Sequence, residues 1–225
     1  KIIQESMLSA AEFGIINFHN GPLPLYGGVN IPSWAILNGE KRHGVSWHYI
    51  DERIDTGDIL AQKIFEIPES ITAAGLLARC INEGISLFQQ ECENILTGKI
   101  SRKKQTGSRT YYSKKDLPEN NGVVNLNWSF EKINRFVRGL NLFPFENKLC
   151  YPKIELTKDI SIIPFEIEHL RSSDSYKGSD YFQFDENNET EVICADSVFR
   201  IVQMTDANFN FISPKELTTR LNSKL

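Results

Sequence analysis

A long helical repeat constrains this fold more than any other part of the sequence. Apolar side chains recur three or four positions apart between residues 72 and 96, and Gly98 follows as a stop signal. The apolar positions are Leu77, Cys80, Ile81, Ile85, Phe88, Cys92, Ile95 and Leu96. This spacing predicts one amphipathic helix that packs a single face against a core.

Strand-like segments precede this helix. Residues 15–16 are typical of a short buried strand, residues 44–50 alternate apolar and polar side chains, and residues 59–67 form a third strand candidate. Residues 32–39 begin with Pro and end with Gly, which predicts a short helix. The alternation of strands and helices predicts an α/β class for the first half.

The second half of the chain has a different pattern. The basic stretch at residues 101–122 has no apolar period and predicts a linker, and a helix is predicted at about residues 129–140. Short strands separated by polar turns are predicted next, and residues 213–225 have the pattern of a terminal helix. The strand candidates are residues 153–156, 161–167, 181–184, 190–194 and 198–204. The chain is therefore expected to end in a small β-rich part.

Composition excludes several classes of protein. The net charge of −4 argues against a broad nucleic-acid surface, which needs a basic face. No run of apolar residues is long enough for a membrane span, and the first residues lack the apolar region of a signal peptide, so a cytoplasmic location is expected. The four cysteines are far apart, without metal-ligand spacing, and no metal is predicted.

An Asn and a His stand two positions apart at the end of the first predicted strand. Because positions i and i+2 share a face, Asn17 and His19 can point the same way. An amide and an imidazole suit a reaction with a tetrahedral intermediate, since both can donate to the developing oxyanion. Such a site lacks a carboxylate, for which Asp55 is the best candidate. The same residues would also suit a capping turn, and the acidic cluster around Asp55 a solvated turn.

The order of the motifs carries a resemblance to a known family. INFHNGPLPLYGG and WAILNGEKRHGVSWHYIDERIDTGDILAQ resemble the formyltransferases that use 10-formyltetrahydrofolate, which include methionyl-tRNA, nucleotide-sugar and glycinamide ribonucleotide formyltransferases. In that family an N-x-H pair precedes an L-P loop, an A-I-L-x-G helix, a G-V-T/S strand and a D-x-G-x-I-L turn. All of these motifs occur here in order. The resemblance implies a Rossmann-like sheet followed by a small β-rich domain, and transferase activity.

The resemblance also implies roles for individual residues. Asn17, His19 and Asp55 match the catalytic trio of the family. The backbone at residues 51–54 corresponds to the loop that contacts the pterin ring of the 10-formyltetrahydrofolate co-substrate; the cofactor-binding residues are therefore Asp51, Glu52, Arg53 and Ile54. The loop variant is closest to enzymes that formylate nucleotide-linked amino sugars or amines on assembly lines. Its distinguishing residues, which are predicted to bind substrate, are Tyr26, Trp47 and His48. Trp47 would equally suit a packed core.

The sequence departs from the pattern of the family in the segment before the N-x-H strand. Several strands and helices normally precede the N-x-H strand, whereas sixteen residues precede Asn17 here. The sequence therefore predicts that the first half of the sheet is missing, and that an upstream segment or a homo-oligomer completes it. Under this alignment residues 1–110 are the C-terminal half of the catalytic domain, residues 111–150 a linker and helix, and residues 151–225 a β-rich subdomain.

The leading hypothesis is an N-formyltransferase that acts on a small-molecule amine, most simply that of a nucleotide-linked amino sugar. Alternatives are formylation of an aminoacyl group on a carrier protein or tRNA, a formyltetrahydrofolate hydrolase, and a catalytically silent binding module. The basic residues between 99 and 115 would suit a solvated linker, or contacts with phosphates of the acceptor.

Overall fold

The computed structural model describes residues 10–11, 14–173 and 181–223. The chain forms two compact units, residues 1–116 and residues 117–225. The three-part division at residues 110 and 150 stays a prediction, and the boundary between the two units along the chain falls between Asp116 and Leu117.

A three-stranded sheet organises the first unit. β1 (Ile16–His19) pairs antiparallel with β3 (Arg42–Tyr49), which pairs antiparallel with β4 (Ile59–Glu66). A short strand, β2 (Gly27–Gly28), and helix α1 (Ile31–Leu37) lie between β1 and β3. These elements fall where the sequence predicted them, except β2, whose two glycines gave no strand signal.

Helix α2 (Ala73–Leu96) is the predicted long helix, and it packs against one face of this sheet. Phe18 and Trp47 lie opposite each other on β1 and β3, and Trp47 packs against Phe88 of the helix with tilted rings whose centroids are 4.9 Å apart. A Cβ on Gly84 would lie 2.1 Å from the Phe18 ring, so glycine permits this close approach. Because strand side chains alternate, Asn17 and His19 face away from the helix.

The buried stripe of α2 differs from the predicted one. The buried residues are Ala73, Leu76, Cys80, Gly84 and Leu87. Ile81, Ile85 and Leu96, predicted to belong to the apolar face, are 44%, 52% and 78% exposed. The predicted set omitted Leu76 and Leu87, which lie on the buried stripe, and it gave no weight to Ala73 and Gly84, because small side chains add little to a hydrophobic period.

The sequence predicted that the basic stretch after α2 is a linker. In the structure, this stretch is held against other segments of the first unit. Residues 103–112, here named the strap, run back along the first unit. Lys103 exchanges two backbone hydrogen bonds with Ile59, and β5 (Tyr111–Tyr112) pairs with β2 in parallel. Tyr112 stacks on Trp34 with ring centroids 4.6 Å apart. Backbone pairing with two separate segments therefore fixes this stretch, although its composition is that of a solvated loop.

The second unit is the predicted β-rich part, with its strands in an antiparallel sheet of order β6-β7-β10-β9-β8, to which β11 adds beside β10. The strands are β6 (Ile154–Glu155), β7 (Ser161–Ser172), β8 (Phe182–Phe184), β9 (Thr190–Ile193), β10 (Ser197–Asp206) and β11 (Phe211–Ile212). A 3₁₀ turn (Glu119–Gly122) and helix α3 (Phe130–Leu140) precede the sheet, and helix α4 (Pro214–Asn222) follows it. The prediction of a mixed α/β region followed by a β-rich region is confirmed.

Both helices of this unit begin with a serine cap. The Ser129 and Ser213 hydroxyls accept from the amides of Lys132 and Glu216, which satisfies donors that the first helical turn leaves free. The predicted end of the terminal helix at residues 224–225 lies outside the described residues.

Candidate active site

Four polar side chains converge on the sheet face that points away from α2. Asn17 on β1 lies opposite His48 on β3 in the strand register, and His19 follows two positions along β1. Asp55, in the loop between β3 and β4, brings a carboxylate to both histidines. The predicted trio of Asn17, His19 and Asp55 is therefore assembled in one place, with His48 as a fourth member.

His48 holds the Asn17 amide in place. Its Nδ1 donates to the Tyr49 carbonyl oxygen at 2.7 Å, so in the neutral ring Nε2 carries the lone pair. Nε2 then accepts from Asn17 Nδ2 at 3.2 Å. Burial lowers the pKa of His48, which favours this neutral form. The second hydrogen of the Asn17 amide remains for a ligand.

His19 is buried, and a hydrogen bond fixes one of its ring nitrogens. Its Nε2 donates to the Tyr26 carbonyl oxygen at 2.6 Å, because a carbonyl oxygen can only accept. Its Nδ1 faces Asp55 Oδ2 at 3.6 Å. The imidazole therefore lies between a fixed acceptor and a carboxylate, and a change in the Asp55 charge acts directly on it.

Asp55 occupies an unusual backbone conformation. Its φ of 54° is in the left-handed region that non-glycine residues seldom adopt. Its Oδ2 accepts from the Gly28 amide at 2.8 Å, and its Oδ1 lies 3.7 Å from His48 Nε2. The side chain is 10% exposed. The carboxylate thus accepts one full hydrogen bond, and its remaining lone pairs are available to take up a proton.

A cavity of about 440 Å³ opens beside these groups. Its lining comprises Asn17, Val29, His48, Ile50, Asp51, Glu52, Arg53, Ile54, Asp55, Tyr111 and Lys114. The volume lies within the range of roughly 300–1,000 Å³ that is usual for small-molecule sites. The lining includes two of the three predicted catalytic residues, whereas His19 lies behind Asp55.

All four residues predicted to contact the pterin line this cavity. The Asp51 carboxylate turns back on its own loop, where it accepts from the Arg53 amide at 3.1 Å and from the Thr56 hydroxyl at 2.5 Å. The Asp51 side chain therefore shapes the loop. Pterin binding here stays a prediction.

Two of the three predicted substrate contacts have packing roles. Tyr26 donates to Glu40 Oε1 at 2.6 Å, and burial raises its pKa. Trp47 packs between Phe18 and Phe88 and donates to the Gly84 carbonyl oxygen at 2.9 Å. Neither lines the cavity, whereas His48 does. Substrate contact by Tyr26 and Trp47 stays a prediction without geometric support.

Sequence reasoning missed several residues at the cavity. Tyr111 lines it from the stretch that was predicted to be a linker, and so does Lys114, for which phosphate contact was the open alternative. Val29 and Ile50 add apolar wall. Basic and aromatic residues in one stretch were the available signal, but spacing alone could not show that the chain returns to the site.

Two further features are absent from the part of the chain that the structure describes. Among these residues, no group of three or more His, Cys, Asp or Glu side chains has the geometry of a metal site. No described helix has the length and apolar character needed to cross a membrane.

Comparisons with known proteins agree with the motifs. Residues 1–91 match the family model described as formyl transferase. The chain is 35% identical over 144 residues to methionyl-tRNA formyltransferase of Clostridium beijerinckii, covering 64% of this chain and 46% of that protein. It is 35% identical over 167 residues to GDP-perosamine N-formyltransferase of Brucella melitensis, covering 71% of this chain and 63% of that protein.

A solved structure gives the same result for the fold. The N-formyltransferase of Helicobacter canadensis, in complex with folinic acid and dTDP-3-aminofucose, superposes with a TM-score of 0.62 and 26% identity, over 83% of this chain and 65% of that one. This chain therefore spans about half to two thirds of the length of these relatives. The predicted resemblance to the formyltransferase family is confirmed, and residues 1–91 carry the formyl transferase sequence pattern of that family.

Proposed function

We propose that this protein transfers a formyl group from 10-formyltetrahydrofolate to an amine. The observation that carries this proposal is that Asn17, His48 and Asp55 line the same cavity as residues 51–54. An amide donor and a carboxylate acceptor thus border one cavity, as acyl transfer through a tetrahedral intermediate requires.

Each side chain has a role that its contacts define. Asn17 donates its second amide hydrogen to the formyl oxygen as negative charge develops there, and His48 holds that amide by accepting its first hydrogen. Asp55 accepts the proton that the attacking amine loses. His19 Nδ1, which lies 3.6 Å from Asp55 Oδ2, can take up that proton from the carboxyl group once Asp55 carries it.

The balance of the reaction is simple. The amine nitrogen bonds to the formyl carbon, the bond from that carbon to N10 of the folate breaks, and N10 takes up a proton. The amine proton held by Asp55 is the source for N10, so the site ends in its starting protonation state. No oxidant or metal enters this balance.

For the acceptor, we propose the amine of a nucleotide-linked amino sugar. The support is the relationship to GDP-perosamine N-formyltransferase and the likeness to an enzyme solved with dTDP-3-aminofucose. Arg53 and Lys114 add two cations to the cavity, which suit the phosphates of a sugar nucleotide. Methionyl-tRNA is the second candidate, because methionyl-tRNA formyltransferases match with similar identity over a smaller part of their length.

The test uses 10-formyltetrahydrofolate with a labelled formyl group. Residues 1–225, and the complete gene product where the gene encodes more, are assayed with a panel of amino-sugar nucleotides and with initiator methionyl-tRNA. Label in a sugar amide is the expected result. Equal or faster transfer to methionyl-tRNA overturns the proposed acceptor, and label recovered only as formate with every amine identifies a hydrolase instead.

A silent binding module is separated by two measurements. The proposal predicts that a folate analogue binds in calorimetry, and that Asn17→Ala and His19→Ala each reduce the rate by orders of magnitude. The double variant should lose little more than either single variant, since residues that act together are strongly non-additive. Absence of both folate binding and turnover would overturn the proposed function.

A further inference from the structure

The strap joins two segments that each contribute to the active site. On one side, the Gly27 and Val29 amides donate to the carbonyl oxygens of Thr110 and Tyr112 at 3.0 and 2.9 Å. On the other side, the strap reaches the loop between β3 and β4 through Gln105 and Arg109. Arg109 donates to the Ile54 carbonyl oxygen at 2.7 Å. The strap therefore contacts both segments that fix the Asp55 carboxylate.

Gln105 makes the contact nearest to Asp55. Its Nε2 donates to the Asp55 carbonyl oxygen at 3.0 Å and to the Gly57 carbonyl oxygen at 2.8 Å. Because both partners are carbonyl oxygens, the amide nitrogen must face them, which settles the orientation of the side chain. Its Oε1 is buried and accepts no hydrogen bond in the described structure. The Gln105 nitrogen thus donates to both carbonyl oxygens, while the side-chain oxygen is buried without a hydrogen bond from the described residues.

The two carbonyls border the strained part of the loop. Asp55 has a φ of 54°, and Gly57 passes so close to β3 that a Cβ on it would lie 1.9 Å from the Tyr49 carbonyl oxygen. A left-handed non-glycine residue persists only where its surroundings hold it. Gln105 bridges this residue and Gly57, so it opposes relaxation of Asp55 toward a commoner conformation.

We propose that Gln105 is a positioning residue, which holds Asp55 in its left-handed conformation and so aims the carboxylate at His19, His48 and the cavity. This inference rests on the proposed function for its effect on rate. Its structural content, that the Asp55 carboxylate moves when the Gln105 amide is lost, stands independently of any reaction.

The two tests use different readouts on the same variants. Gln105→Met keeps the length of the side chain but removes both donors, and Lys104→Met is the matched control, because Lys104 is an exposed neighbour on the strap. Gln105→Glu places an acceptor against two carbonyl oxygens while it is ionised. Once protonated, it can donate one hydrogen bond again.

The first readout is amide hydrogen exchange at Gly28. This amide donates to Asp55 Oδ2, whereas the flanking Gly27 and Val29 amides donate to the strap backbone and serve as internal controls. We expect Gly28 to exchange at least about tenfold faster in Gln105→Met, with Gly27, Val29 and the control variant unchanged. Unchanged Gly28 exchange overturns the proposal. Equal loss of protection at all three amides also overturns it, because Gln105 would then hold the strap and not Asp55.

The second readout is the separation of kcat from KM. Displacement of a catalytic group by about 1 Å can cost roughly 100-fold in rate, so kcat of Gln105→Met should fall by about 10- to 100-fold with KM for the folate and the amine within about twofold. The activity of Gln105→Glu relative to the parent should rise as the pH falls. A change in KM alone, or no pH-dependent recovery, overturns the role in positioning. If neither residues 1–225 nor the complete gene product transfers formyl groups, the proposed function fails and the exchange measurement alone decides the role of Gln105.

Discussion

Two nearly buried carboxylates, one in each unit, have opposite surroundings. The side chains of Asp55 and Glu191 are 10% and 4% exposed. Glu191 receives two hydrogen bonds from the Arg171 guanidinium, at 2.6 and 2.5 Å, and a third from Gln183 at 2.7 Å. Asp55 receives one, from the Gly28 amide, while two histidine nitrogens lie 3.6 and 3.7 Å away.

The difference distinguishes a buried carboxylate that stabilises the fold from a buried carboxylate that is available for chemistry. A carboxylate whose lone pairs are mostly filled by donors stabilises the fold and has little capacity for a further partner. Glu191 is of this kind and joins side chains from β7, β8 and β9. Asp55 lacks donors on the side that faces the cavity, so its incomplete hydrogen bonding is available to a substrate proton.

The largest expected effect is on catalysis. Asp55→Asn should reduce kcat by about 10²- to 10⁴-fold, because loss of a general base has effects of this size. Its thermal stability should change little, since an amide can still accept from the Gly28 amide. Steady-state kinetics on amine and folate, with Tm measured by calorimetry, test both statements.

Glu191→Gln is the matched control for this change. It makes the same carboxylate-to-amide replacement in the second unit, and kcat per folded molecule should be unchanged. Retention of more than a tenth of the parent kcat by Asp55→Asn would contradict the assignment of Asp55, and an equal loss in Glu191→Gln would remove the distinction between the two carboxylates.

The second effect is on stability. Glu191→Gln should lower the free energy of unfolding by about 1–3 kcal/mol, because hydrogen bonds to a charged group are lost. The lower part of this range is expected, since half of the Arg171 side chain is exposed and solvent screens the pair. Denaturant unfolding of both variants measures it. A larger loss in Asp55→Asn than in Glu191→Gln would reverse the comparison.

How much of the fold and of the candidate site could be predicted from sequence depends on how far apart the interacting residues lie along the chain. The helix at residues 73–96, the strands of the first sheet and the Asn17–His19 pair follow from period and spacing, which are local. Asp55 was the best candidate for the carboxylate of this pair, and the motif resemblance implied its catalytic role. Its meeting with His19 depends on the loop between β3 and β4, and no spacing rule gives that geometry.

The strap was beyond sequence reasoning for a physical reason. Its composition is that of a solvated loop, and its order comes from backbone hydrogen bonds to distant segments, such as that from Gly27 to Thr110. Backbone partners leave no mark on residue type. The same holds for Gln105, one polar residue in a polar stretch, whose two acceptors are carbonyl oxygens.

A third, smaller effect concerns the pH dependence of the first site. Burial lowers the pKa of His48, so the ring is neutral at neutral pH and accepts from Asn17. Protonation turns Nε2 into a donor that repels the Asn17 amide. We therefore expect kcat/KM to be flat near neutral pH and to fall up to tenfold per pH unit below the lowered pKa, which lies under the ordinary value of about 6.5.

A substitution of His48 tests whether this residue causes the fall of kcat/KM at acidic pH, here called the acid limb. In His48→Gln the side-chain oxygen can still accept from Asn17 but does not titrate over this range. This variant should have a lower kcat/KM at neutral pH and a flatter acid limb. An acid limb of unchanged position in His48→Gln would assign the titration to another group.

The smallest effect is the acid sensitivity that Glu191 contributes to the fold. Hydrogen bonding from Arg171, more than any other cause, lowers the pKa of Glu191 below its ordinary value. Its stabilisation is therefore fully present above the unfolded-state pKa of about 4.3 and is lost as the pH falls through the lower folded-state value.

Other carboxylates add to the acid sensitivity of the fold. The pKa values of Asp196 and Asp206 are lowered too, by backbone amides of Phe130 and Asn210, and these two residues contribute to the pH dependence of stability with the same sign in every variant. The decisive quantity is thus the difference in unfolding free energy between the parent and Glu191→Gln. This difference should be constant from about pH 7 to 5 and should shrink by about 1 kcal/mol at more acidic pH, as Glu191 of the parent becomes protonated. A difference that stays constant down to pH 3 would mean that Glu191 is not stabilised as an anion, and that the contrast with Asp55 has another origin.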